Sequence, residues 1–96
     1  MYIYILALFP AGVLPWDVSS VTNLQDMFYS TAVSDGIDLT SWDTSNVQNM
    51  YGFLREAAFN SDISSWDTSS VTTLERTFQD CLDFNQNISD WYVWMY

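Results

Sequence analysis

A nine-residue pattern that occurs three times constrains the fold of this chain more than any other feature. The copies begin at Trp16, Trp42 and Trp66, and each reads Trp-Asp-x-Ser-x-Val-x-x followed by Leu or Met. Trp91 continues the series, so the four tryptophans are separated by 26, 24 and 25 residues. A nearly constant period of this length is typical of proteins built from stacked repeats. The sequence therefore predicts a solenoid.

The period also divides the chain. We expect repeat 1 at residues 16–41, repeat 2 at 42–65 and repeat 3 at 66–90. Residues 1–15 are interpreted as a degenerate N-terminal part-repeat or cap, and residues 91–96 as the start of a truncated repeat. The apolar N-terminal segment is interrupted by proline and lacks a basic start. It therefore predicts neither membrane insertion nor a convincing signal peptide.

Matched apolar positions predict a helix in each repeat. In repeat 3, Leu74 and Phe78 follow Val71 by three and seven residues. This spacing places the three side chains on one face of a helix. We therefore expect short helices at 23–30, 49–57 and 73–81.

The segment that leads into each tryptophan is short and lacks helical periodicity. We expect brief strands there, at 38–42, 62–66 and 87–91. The predicted fold class is an α/β repeat, a solenoid of about three coils of 24–26 residues, each with a short strand and a short helix. A single coil cannot cover its own apolar edges, so neighbouring coils must stabilise one another.

The charge of the chain excludes several partners. It has twelve acidic residues, two basic residues (Arg55 and Arg76), no histidine and a net charge of −10. This charge repels nucleic-acid phosphates, so no nucleic-acid partner is expected. Without histidine, a serine or Cys81 nucleophile lacks its usual activating base. The three glycines are too far apart for a phosphate-binding loop. We therefore expect no enzyme activity, no catalytic residue and no cofactor.

Polar residues that recur with the repeat are interpreted as structural. Asp17, Asp43 and Asp67 follow the tryptophans, and Asn60 and Asn85 follow phenylalanines. Such side chains commonly hydrogen-bond to nearby backbone groups at turns. A file of calcium ions along the aspartates stays an alternative, because carboxylate oxygens are calcium ligands.

Two segments of repeat 3 carry a resemblance to a known family. Trp-Asp-Thr-Ser-Ser-Val-Thr-Thr-Leu at 66–74 and Asp-Phe-Asn-Gln-Asn-Ile-Ser-Asp-Trp at 83–91 resemble the repeat of BspA-like leucine-rich-repeat surface proteins. The likeness extends over about residues 9–93. It implies a right-handed, leucine-rich-repeat-like solenoid with parallel strands. It also implies an extracellular or cell-surface location, with roles in adhesion and protein binding.

These observations predict a non-catalytic surface or secreted repeat module for adhesion or protein–protein interaction. Its partner would be an unidentified protein or a surface glycan. Tyr29, Arg55 and Gln79 differ strongly at one matched position, which makes them a candidate recognition face. A structural spacer in a longer array and a calcium-dependent carbohydrate-binding module stay open as alternatives. The apolar residues 92–96 predict end-to-end self-association.

Overall fold

The repeats of this chain stack on one another in register. The computed structural model describes residues 12–13, 16–30 and 37–91. Parallel bridges join Asn23 to Asn49 and Asn49 to Thr73, one residue from each repeat. The rest of the predicted N-terminal cap and the apolar residues 92–96 lie outside the described residues.

Regular strand is confined to one short parallel pair within the described ranges. Strand β1 spans Gly12–Val13 and strand β2 spans Ile37–Asp38, with Gly12 opposite Ile37 and Val13 opposite Asp38. The equivalent positions of repeats 2 and 3 form no strand, and a turn follows them at 64–65 and 89–90, as one follows β2 at 40–41. In repeat 2, Asp62 accepts a hydrogen bond from the Ser64 amide, and the Trp66 amide donates to the Ile63 carbonyl.

Each repeat also contains a run of overlapping β-turns, which we call its turn segment, at residues 24–30, 50–56 and 74–80. In the second turn segment, three amides donate to the carbonyl three residues earlier at 3.0 to 3.2 Å: those of Phe53, Arg55 and Ala57. The alternate amides, those of Met50, Gly52, Leu54 and Glu56, donate to carbonyls of repeat 3 at 2.8 to 3.1 Å. The turn segments therefore form backbone hydrogen bonds both within one coil and to the neighbouring coil.

The predicted helices are wrong. An α-helix bonds each amide to the carbonyl four residues earlier in the same segment, whereas here every second amide bonds to the next repeat. Positive φ angles at Asp26, Ser30, Gly52 and Glu56 also interrupt any helical path. Successive β-turns, each closed by a bond from an amide to the carbonyl three residues earlier, can also place side chains three and four residues apart on the same side of the segment.

The predicted fold class is wrong for the same reason. No helix lies within the described ranges, and strand is limited to β1 and β2. The chain is thus not an α/β solenoid of strand-plus-helix coils. It is a stack of coils built mainly from turns and cross-coil hydrogen bonds. The part of the chain that the structure describes contains no helix long and apolar enough to cross a membrane.

The tryptophans form a continuous stack along the coils. The ring centroids of Trp16 and Trp42 lie 6.3 Å apart, those of Trp42 and Trp66 6.0 Å, and those of Trp66 and Trp91 6.3 Å. The last three are buried, whereas Trp16, at the first coil, is 40% exposed. The indole N–H groups of Trp66 and Trp91 donate at 3.0 Å to the backbone carbonyls of Leu39 and Ile63, which lie 27 and 28 residues earlier in the chain. Each ring therefore ties two coils together.

The core is completed by the inward side chains of the turn segments. Phe53 and Leu54 of repeat 2 are fully buried, and Phe53 packs against Phe28 of repeat 1 and Trp66 of repeat 3. Of the matching side chains of repeat 3, Thr77 is fully buried, but Phe78 is only partly buried. Its amide has no acceptor among the described residues. The described stack is therefore most tightly packed at its middle coil.

Candidate functional site

The outward side chains of the turn segments form one face of the stack. We call this the turn face, and it consists of Gln25, Tyr29, Tyr51, Arg55, Glu75 and Gln79. The cross-coil bonds align the turn segments, since the Ser30 amide donates to the Arg55 carbonyl and the Glu56 amide to the Gln79 carbonyl. The three residues singled out from the sequence thereby form one row across the coils.

Within that row, Tyr29 and Arg55 are in direct contact. The guanidinium carbon of Arg55 lies 4.9 Å from the centroid of the Tyr29 ring, which is a cation–π geometry. The Arg55 side chain is 26% exposed. Gln79 occupies the next position in the row and is exposed. The structure thus brings two of the three candidate residues together and places the third beside them along the stack.

Arg55 has few acceptors for its donor groups. Its Nε lies 3.7 Å from Oε2 of Glu56, which is too long for a hydrogen bond. This Nε is buried and has no hydrogen-bond partner in the described part of the chain. The guanidinium therefore packs on the Tyr29 ring while its Nε–H stays without an acceptor among the described residues.

A glycine shapes the turn face between the coils. Gly52 has a φ of 62°, and a Cβ at this position would clash with Oδ1 of Asp26. That oxygen is buried and has no hydrogen-bond partner within the described ranges. Sequence reasoning missed this close approach. The available signal was that a glycine replaces the Asp26 and Arg76 of the other repeats at this position.

The recurrent aspartates bind their own turns. Oδ1 of Asp17, Asp43 and Asp67 accepts bonds from the amide and the hydroxyl of the serine two residues later. The hydroxyl distances are all 2.6 Å. These hydroxyl bonds, followed by the amide bonds, lower the pKa of each aspartate from its ordinary value. The three carboxylates are therefore structural parts of a repeated turn.

The candidate asparagines connect repeats 2 and 3. Oδ1 of Asn60 accepts a hydrogen bond from the Asn85 amide at 2.7 Å and another from Nε2 of Gln86 at 3.0 Å. The Asn85 contribution comes from its backbone, and the side-chain contact is supplied by Gln86, which the sequence did not single out. These contacts stabilise the stack.

The described residues offer little for metal or nucleophile chemistry. They contain no group of three histidine, cysteine, aspartate or glutamate side chains that could hold a metal ion. The Cys81 thiol is buried and donates to the Ala57 carbonyl at 3.2 Å. Burial raises the pKa of this thiol, which disfavours the reactive thiolate.

Comparison with known proteins gives one match. The chain matches no curated protein and no solved structure. Residues 5–95 match a family described as Mycoplasma protein of unknown function, DUF285. The resemblance to BspA-like proteins is not tested by this match and stays a prediction. Because the match spans nearly the whole sequence, including every residue of the turn face, this chain belongs to the DUF285 family.

Proposed function

We propose that this chain is a non-catalytic binding module that recognises another protein through its turn face. One observation supports this most directly. The outward residues of the turn face change from coil to coil, while the buried side chains beneath them are apolar apart from Thr77. A scaffold that only had to stack would need no such variation. Tyrosine and arginine, which this face presents, are the residue types that contribute most binding energy at protein interfaces.

The aspartate-bearing faces are less suited to selective binding. The same Asp–Ser hydrogen bonds occur after Trp16, Trp42 and Trp66. Their Oδ1 atoms are already occupied by two donors each, which makes calcium-dependent binding a weaker explanation of the repeated acids. The turn face, by contrast, has an arginine whose Nε–H lacks a hydrogen-bond partner among the described residues.

Charge also favours the turn segments as the docking surface. They contain four of the twelve acidic residues and both basic residues, so eight acidic and no basic residues lie elsewhere in the chain. An acidic partner that approaches the turn segments therefore meets both arginines of the chain, which reduce electrostatic repulsion there. The proposed setting, at the cell surface or outside the cell, rests on the resemblance to surface proteins alone.

Site-specific photo-crosslinking tests this function in the cells that make the protein. A benzoyl-phenylalanine replaces Tyr51 on the turn face in one variant. In the matched control it replaces Ser65, which is exposed on a different part of the coil. We expect discrete crosslinked protein adducts from position 51 and none of the same size from position 65.

The crosslinking outcome separates binding from a spacer role. Identical adduct patterns from the two positions would mean that the turn face is not selective. No adduct from position 51, with the variant folded and present at normal levels, would favour a structural spacer. An adduct that is removed by glycosidase treatment would identify a surface glycan as the partner.

A further inference from the structure

We propose that the partner bound by the turn face supplies an aspartate or glutamate side chain that binds to the guanidinium of Arg55. This inference rests on the proposed function and specifies the chemistry of the partner. It concerns the contact at the middle of the Tyr29, Arg55 and Gln79 row.

Arg55 is an exception in this acidic chain. With twelve acidic residues available, its only described ion pair is the 3.7 Å approach of Glu56 to Nε. Glu56 is itself 41% exposed, so water screens this pair strongly. No hydrogen bond from the terminal guanidinium nitrogens to any described residue is present. The cation therefore retains donors that can bind an external acceptor.

The position of the guanidinium favours binding. Its contact with the Tyr29 ring, at 4.9 Å, restricts the side chain before a partner arrives. A restricted side chain loses less conformational entropy when it binds, which increases affinity. Partial burial also strengthens a charge-assisted hydrogen bond relative to one in open solvent.

The geometry of the donors selects a carboxylate. A guanidinium presents parallel N–H groups that match the two oxygens of a carboxylate. A phosphate would match as well, but its higher charge is repelled more strongly by a chain with a net charge of −10. One carboxylate in an otherwise uncharged segment is therefore the acceptor that the turn face accommodates best.

The location of Arg55 favours a side chain over a chain terminus. Arg55 belongs to the middle coil, with Tyr29 on one side of the row and Gln79 on the other. A partner segment that lies along the row continues past Arg55 in both directions. Its acidic group at that point must then come from a side chain.

Selected peptides provide the test. Random linear peptides displayed on phage are selected on the folded chain, and the selected sequences are synthesised. Peptides whose binding requires the turn face are identified by their loss of binding to Tyr51→Ser. In these peptides we expect one acidic position, and replacing it with the corresponding amide should weaken binding roughly 10-fold to 100-fold.

Arginine variants locate the acidic contact. The effect of the acid-to-amide change should disappear in Arg55→Gln, because the two groups then no longer interact. The effect should be smaller in Arg55→Lys, which keeps the positive charge but lacks the two parallel N–H donors of the guanidinium. The matched control Arg76→Gln removes the other basic side chain of the chain. In this variant the acid-to-amide change in the peptide should weaken binding as much as it does with the parent chain. Thermal melting of each variant verifies that the chain remains folded.

The outcomes distinguish this inference from the proposed function. Turn-face peptides without an acidic residue, or an acid-to-amide effect that persists in Arg55→Gln, would overturn the inference and leave the proposed function intact. If every selected peptide binds Tyr51→Ser as well as the parent chain, both are contradicted. Recovery of no binding peptide at all also counts against both.

Discussion

Replacing Trp66 tests the packing on which the stack depends. This side chain is 4% exposed, and its ring lies between those of Trp42 and Trp91. Its indole N–H donates to the Leu39 carbonyl at 3.0 Å. Phe53 packs against the same ring, so Trp66→Ala removes three ring contacts and one buried hydrogen bond at the same time.

The expected loss of stability can be worked out from this burial. A buried tryptophan removes up to about 250 Å² from water, which at roughly 25 cal/mol per Å² corresponds to about 6 kcal/mol as an upper bound. Core tryptophan-to-alanine changes cost about 3–5 kcal/mol. Loss of the indole bond to the Leu39 carbonyl, which still accepts from the Trp42 amide at 3.1 Å, adds about 1 kcal/mol. We expect Trp66→Ala to lower the free energy of unfolding by about 4–6 kcal/mol. Since domains of this size have a total of about 5–15 kcal/mol, this variant is close to unfolding.

Two further variants should stay folded, so that their free energies of unfolding can be measured. Trp66→Phe retains an aromatic ring but lacks the N–H donor, and we expect it to cost about 2–3 kcal/mol. Trp16→Ala is the matched control, because Trp16 is 40% exposed and stacks on Trp42 at the first coil. We expect it to cost about 2 kcal/mol. Urea unfolding followed by far-ultraviolet circular dichroism measures all three without depending on tryptophan fluorescence.

Two results would refute this reasoning. If Trp16→Ala and Trp66→Ala cost the same, burial between two rings would not be what stabilises the stack. If Trp66→Phe were as stable as the parent chain, the indole hydrogen bond to Leu39 would contribute nothing. Either result would require a different account of how neighbouring coils hold together.

Three other predictions follow from the turns. Gly52→Ala should lower the free energy of unfolding by about 2–3 kcal/mol, because of the positive φ and the clash with Asp26. In an Asp26→Ala background the same change should cost only about 1 kcal/mol, and urea unfolding of the parent, the two single variants and the double variant measures this difference. Bonds from Ser45 lower the pKa of Asp43 in the folded chain below the ordinary 3.8. The stability they provide is therefore present above the unfolded pKa and lost as the pH falls through the folded pKa, and Ser45→Ala should reduce this acid sensitivity in melting curves; an unchanged pH profile would contradict it. Calcium should change the melting temperature no more than magnesium at equal ionic strength, and a calcium-selective rise would restore the metal-binding alternative.

The helix prediction failed at a particular physical point. The spacing of Val71, Leu74 and Phe78 shows only that these side chains share a side of the segment. It contains no information about the acceptors of the amides between them. In the second turn segment, the amides of Gly52 and Leu54 bond to the next coil at 2.9 Å. Residues about 24 positions away thus decided the local conformation, and no short sequence window includes them.

For the candidate site, too, the sequence identified the positions, and the structure decided their contacts. Comparing repeats in the sequence was enough to identify Tyr29, Arg55 and Gln79 as one variable position. It could not reveal that Tyr29 packs under the guanidinium, nor that the Arg55 Nε is buried without an acceptor. These properties depend on the distance between neighbouring coils and on the direction of each side chain.

The sequence by itself determined which residues are equivalent between coils, because repeated tryptophans and apolar positions can be buried together only when the coils stack in phase. It also determined the acidic character of the chain and the lack of histidine. Only the tertiary structure decided that the coils are made of turns and which donors of the turn face stay unsatisfied. The physical reason is that a backbone amide can donate to any acceptor that lies close to it in space, however far away that acceptor is along the chain. In this chain, four of the seven amides of the second turn segment donate to carbonyls of the neighbouring repeat.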